Sequence, residues 1–208
     1  IFKKTNLKNQ YSNFREGDIC ILYPKNENYE NITGNQLFKC TIKSIQKDFV
    51  DGVLGTKEAV AIVPNVASTI REFSGKVFYT LDTHHENYLE TEEGKKLPVV
   101  HCVKGTPGWK LDATVQEALL EKEAVGVEKP TFGSTALMEL LKEVPSISSI
   151  TFLGLCTDIC VISNVLLAKA NFPEVPINVY STSCAGVTPQ SHQQALEAMK
   201  MCQINVVE

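Results

Sequence analysis

A chain of 208 residues, 43% hydrophobic and 21% charged, can bury one sizeable core and is too apolar for a disordered segment. Its net charge of -4 argues against a basic coat for nucleic acid. No apolar run approaches the roughly 20 residues that span a bilayer, and the opening IFKKTNLKNQYSNF holds no signal-peptide core, so no membrane partner is expected. The cysteines (Cys20, Cys40, Cys102, Cys156, Cys160, Cys184 and Cys202) are odd in number and irregularly spaced, with no C-x-x-C. They read as reduced thiols in the cytoplasm rather than as a disulfide framework or a zinc ribbon.

Residues 1–44 show no helical period. GDICILYPK (17–25) and LFKCTIKSI (37–45) read as two β segments around the polar loop NENYENITGNQ. From residue 56 helix and strand patterns alternate. Ala59, Ile62, Val63, Val66, Ile70 and Phe73 share one helical stripe, which Pro64 is expected to bend or to begin. Gly75 ends that helix, and KVFYTL (76–81) is a buried strand. The polar stretch 82–110 is too long for a mere connection and is expected to be functional.

A helix follows over 112–122 with Asp112 as N-cap, then a short strand AVGV (124–127). Ser134 caps a helix whose stripe is Leu137, Leu140, Leu141 and Val144, and SITFLGL (149–155) is an apolar strand. Residues 158–170 are apolar on most sides, which predicts a deeply buried helix. PINVYS (176–181) is a strand. Pro189 opens a last helix with Ala195, Ala198, Met199 and Cys202 inward, and INVV (204–207) closes the chain as a strand. This alternation predicts an α/β fold, a doubly wound parallel sheet with helices on both faces. Chemistry then gathers at the carboxyl ends of strands. Asp82 and His84, Lys129, and Cys160 fall at three such ends.

Cys160 lies in GLCTDICV, between a buried strand and an apolar helix. Thr157 or Asp158 is expected to cap that helix. Free N–H groups and the helix dipole there favour a thiolate and can serve an oxyanion. A buried structural cysteine is the competing reading. Lys129 would lower the thiol pKa if it lies near; otherwise it is a solvated surface lysine. Asp82 and His84 point the same way from an extended chain, and His101 can return through the loop. One carboxylate and two imidazoles suit zinc, iron or manganese; ordinary polar loop histidines are the alternative. Trp109, in the turn KGTPGW, reads as a packing anchor, with a substrate platform as the alternative.

Together these segments resemble one family. IQKDFVDGVLG (45–55) resembles the opening motif VVDMQNDF of the isochorismatase-like cysteine hydrolases, in their nicotinamidase and pyrazinamidase branch. LDTHHENY (81–88) resembles the D-x-H of their metal loop, and LPVVHCVKGTPGW (97–109) their P-x-x-H-C-x-x-G-T-x-G. VEKPTFGST resembles the segment of the catalytic lysine, GLCTDICV resembles G-V-A-T-D-x-C-V, and CAGVTPQSHQQALEAMK (184–200) resembles the last helix.

The resemblance covers about 45–208 and implies a cysteine hydrolase acting on a small amide, most simply nicotinamide to nicotinate and ammonia. It implies Cys160 as nucleophile, Lys129 as its partner, and the amides of Cys156 and Cys160 as oxyanion hole after a cis Leu155–Cys156 peptide. Asp82, His84 and His101 would hold a divalent metal, zinc first, with iron or manganese as alternatives, and Phe49 would line the substrate pocket. Self-association into a homo-oligomer is expected by analogy.

The sequence departs from the family at several functional places. Aligning Gln46, Asp48 and Phe49 with VVDMQNDF sets Ser44 where the family has its catalytic aspartate. Residues 1–44 are therefore expected to be an atypical β-rich segment, joined from another protein or diverged, ahead of a hydrolase domain at 45–208. Asp48 and Asp51 are remote candidates for the missing base. Pro98 stands where nicotinamidases often have Trp, and no third histidine follows D-x-H, with only Tyr88 and Glu90 nearby. Besides an amidase, two other readings are an impaired homologue that only binds its ligand, and a redox pair made by Cys156 and Cys160.

Overall fold

The computed structural model describes residues 38–42 and 45–208. The expectations for 1–37 and for Ser44 fall outside the described residues. Among the described residues six parallel strands form one sheet: β1 (Phe38–Ile42), β2 (Lys76–Asp82), β3 (Val125–Lys129), β4 (Ile147–Leu155), β5 (Ile177–Ala185) and β6 (Asn205–Val207), in the order β3-β2-β1-β4-β5-β6. β1 is central, with Thr41 opposite Val77 on one side and Thr151 on the other. Strands add outward in one direction from β1 to β3 and in the other from β4 to β6. The order therefore reverses between β1 and β4, and a crevice opens there at the carboxyl ends.

The helices are α1 (Lys47–Val50), α2 (Lys57–Glu72), α3 (Glu92–Lys96), α4 (Ala113–Glu121), α5 (Thr135–Lys142), α6 (Ile162–Asn171) and α7 (Pro189–Met201). Right-handed crossovers put α2 and α4 on one face and α5, α6 and α7 on the other. The packing of α2 on α4, and of α5 and α7 on α6, agrees with this. β4 is buried on both sides from Ile150 to Leu155, as a central parallel strand requires. α2 buries Ala59, Val63, Val66, Ala67 and Ile70. Among the described residues no helix is long and apolar enough to cross a membrane.

Local signals set most helix starts. Asp112 accepts from the amides of Thr114 and Val115, Ser134 from that of Leu137, and Thr188 from that of Ser191 just after Pro189. Four expectations need correction. α2 starts at Lys57, capped by Thr56, and runs through Pro64 unbroken, because the packed apolar stripe outweighs one lost N–H. In α7, Ala198 and Cys202 are exposed and Leu196 is inside instead. Residues 157–161 form a π-turn before α6, and α6 is buried on one side only, with Leu166 exposed. The 82–110 stretch folds a short 3-10 turn (Tyr88–Glu90) and α3 within it.

Candidate active site

Asp82 ends β2, and His84 follows on the same side; both are buried. The backbone of His84 pairs with the returning strand, accepting from Lys104 N–H and donating to the Cys102 carbonyl. That return delivers His101. Its Nδ1 lies 2.8 Å from the Val99 carbonyl, which turns Nε2 toward His84 and Glu93. Tyr88, fully buried, sets its ring 4.6 Å from that of His84 and 5.0 Å from that of His101. Phe49 packs edge-on against His101 at 5.5 Å.

A fourth group completes this cluster. Glu93 Oε1 sits 3.7 Å from His84 Nε2 and 3.8 Å from His101 Nε2. One ligand atom from each of Asp82, His84, Glu93 and His101 lies within 4.8 Å of the others. Sequence reading missed Glu93. The available signal was Thr91, whose side chain caps α3 by accepting from Gly94 N–H. Gly94 matters because a Cβ there would collide with the Tyr88 carbonyl, so only glycine lets α3 lie this close.

Asp82 Oδ1 and His84 Nε2 are buried with no hydrogen-bond partner. A buried polar atom left without a close partner, here His84 Nε2, is costly, and two carboxylates with two imidazoles make a donor set that fits a divalent ion. Burial and the nearby Asp82 push the Glu93 carboxyl above its usual range. For Asp82, burial pushes upward, but the His84 and Lys129 contacts outweigh it and hold the carboxyl below its usual range.

Lys129, at the end of β3, is 1% exposed. Its ammonium lies 3.3 Å from Asp82 Oδ1 and 3.5 Å from Cys160 Sγ, and donates to the Thr131 carbonyl at 3.1 Å. Burial opposes its charge, but Cys160 and Asp82 prevail, so its pKa is raised. Cys160 is reached from β4 through a cis Leu155–Cys156 peptide and the π-turn Thr157–Val161. Burial pushes the thiol upward; Lys129 and the Cys156 amide pull it down without prevailing. A lowered thiol was the expectation, and desolvation reverses it.

The expected caps serve elsewhere. Thr157 Oγ1 meets His192 Nδ1 at 2.8 Å, and Asp158 accepts from Val187 N–H, so they tie α7 and the segment leading into it to the turn, while the N-cap position belongs to Cys156. Asp48 Oδ2 accepts from Cys102 N–H at 2.7 Å, and Asp51 pairs with exposed Lys47. Gln46, fully buried, donates to the carbonyls of Asp82 and Trp109 and accepts from Asp82 N–H, a brace the sequence did not reveal. Trp109 donates from its indole N–H to Thr83 Oγ1 and packs against the core, consistent with an anchor.

The zinc complex of the pyrazinamidase of Pyrococcus horikoshii is similar, at 26% identity and a TM-score of 0.70, over 82% of this chain and 98% of that one. The pyrazinamidase/nicotinamidase of Streptococcus mutans superposes at a TM-score of 0.73 and 24% identity, over 81% and 99% of the two chains. The yeast nicotinamidase bound to the inhibitor nicotinaldehyde shares the fold at a TM-score of 0.70 and 17% identity, over 82% and 100%. No curated relative matches the chain at a significant level. The isochorismatase domain profile matches residues 42–208, and the chain belongs to the isochorismatase family, beside its nicotinamidase and pyrazinamidase members.

Proposed function

We propose that this protein hydrolyses a small amide through Cys160, with nicotinamide, giving nicotinate and ammonia, as the first substrate to test. The observation that carries this reading is the Lys129 ammonium, buried between Cys160 Sγ at 3.5 Å and Asp82 Oδ1 at 3.3 Å. Asp82 belongs also to the four-residue cluster, so nucleophile and candidate metal centre share one wall. The similarity to the zinc-bound pyrazinamidase supports zinc as the ion, with iron or manganese as alternatives. Held by Asp82, His84, Glu93 and His101, it would supply a Lewis-acid contact for a ring nitrogen or a water.

The chain's own groups account for the proton balance. The reactive form pairs a Cys160 thiolate with the Lys129 ammonium. The sulfur adds to the amide carbonyl carbon, and the Cys156 and Cys160 amides receive the oxyanion. Collapse breaks the carbon–nitrogen bond, and Lys129 gives the leaving nitrogen its proton, releasing ammonia and leaving a thioester and a neutral amine. Loss of the thiolate charge makes Lys129 a better acid at that moment. Water then attacks the thioester, the amine takes its proton, and the acid leaves as the thiolate–ammonium pair returns. Phe49, beside His101, offers an apolar wall for a flat ring.

Ser44 follows β1 by two residues, at the family's aspartate position. A serine does not take a thiol proton at neutral pH, and loss of a general base costs about 10²–10⁴-fold. With the thiol raised by burial, a slowed or ligand-binding homologue is the second reading. The reading as an amidase carries with it a small-molecule partner; the irregular cysteines support a cytoplasmic location, and the family analogy supports self-association. Ammonia release from nicotinamide and a panel of small amides, with zinc present, tests it, together with preferential labelling of Cys160 by iodoacetamide. No ammonia from any of them refutes it for this chain.

A further inference from the structure

We infer that Asn164 is a positioning residue that clamps the nucleophile turn to the lysine-bearing loop and so sets the Lys129–Cys160 separation. The inference rests on the proposed role of that pair. Asn164 lies in α6 and is 3% exposed. A buried amide is stable only with its polar atoms paired, and here they reach two separate segments. Nδ2 donates to the Cys160 carbonyl at 2.7 Å and to the Phe132 carbonyl at 3.0 Å. Oδ1 accepts from Ser134 N–H at 2.9 Å.

The segment it grips is the one that aims the lysine. Lys129 Nζ donates to the Thr131 carbonyl, three residues before Ser134, so the 129–134 loop is held by its own lysine at one end and by Asn164 at the other. A lysine stem is long and flexible; a loop fixed at Phe132 and Ser134 restricts where its ammonium can rest. On the other side, Asn164 bonds the nucleophile's own carbonyl, across the junction of π-turn and helix. Ser163 makes the matching bond to the Ile159 carbonyl at 2.6 Å but is bonded to nothing in the 129–134 loop. Ser163 therefore separates turn integrity from the clamp.

The test compares Asn164→Ala, Asn164→Leu and Ser163→Ala. Asn164→Leu keeps the side-chain volume and adds no charge while losing the bonds to both segments, so it serves if the alanine variant does not fold. With the ammonium released from the sulfur, the second-order rate of iodoacetamide alkylation at Cys160, at fixed pH, is expected to fall about tenfold, the effect of one pKa unit. The kcat for ammonia release is expected to fall by about tenfold or more, with KM within about threefold. Ser163→Ala should leave both near wild type. Unchanged alkylation in a folded Asn164 variant, or an equal loss in Ser163→Ala, overturns the inference. Alkylation needs no substrate: if the wild type releases no ammonia yet the Asn164 variants still alkylate slowly, the clamp stands and the amidase reading falls.

Discussion

The turn that carries Cys160 and the loop that carries Asp82, His84 and His101 leave strands on either side of β1 and meet at Lys129. The turn is finished with the chain's own groups. Ser163 and Asn164 fill its carbonyls, Thr157 meets His192, and Asp158 accepts from Val187. The loop leaves His84 Nε2 buried without a hydrogen bond, and Asp82 Oδ1 leans on the Lys129 ammonium at 3.3 Å. A buried atom left without a partner costs about 1–3 kcal/mol. The difference teaches that one half of the site is built to hold a side chain still, and the other to be completed by an ion.

The largest effect expected is on the finished half. Cys160→Ala should lower ammonia release by at least about 10⁴-fold, while zinc content after loading stays at the wild-type level. Loss of zinc along with activity would mean that the halves are not separable. Next in size, Ser44→Asp should raise turnover by about 10²–10⁴-fold by restoring a general base. An unchanged rate in a folded variant would count against the role given to that position.

The unfinished half should respond to metal rather than to thiol chemistry. Zinc should raise the thermal midpoint of the wild type, a stabilisation of about 2.7 kcal/mol at a hundredfold excess over Kd. His84→Ala should lose both that shift and the bound zinc measured after dialysis. A wild type whose midpoint ignores zinc, iron and manganese would show that the cluster is not a metal centre. The smallest effect concerns the brace behind the loop. Asp48→Ala removes the acceptor of Cys102 N–H and should lower stability by about 1–3 kcal/mol, read as a lower urea midpoint. A neutral result would mean that the amide finds another partner.

Much of the frame was legible because its signals are local. Asp112 and Ser134 sit just before apolar stripes and cap α4 and α5. The alternation of β2 predicts that Asp82 and His84 share a side. Glu93 was not legible in the same way, since α3 has five residues and little amphipathic signal. Gln46 was hidden too: it braces Asp82 and Trp109, which are 36 and 63 residues away along the chain.

Sequence by itself determined the alternating elements, the caps Asp112 and Ser134 and the residues with chemistry to offer, because periodicity and capping act within a few residues. Tertiary structure decided the rest. It brought Glu93 to the histidines, sent Pro64 through the middle of α2, and buried Cys160 deeply enough to raise its thiol despite Lys129. Desolvation depends on every segment that covers a group, so it is settled only when all of them are in place.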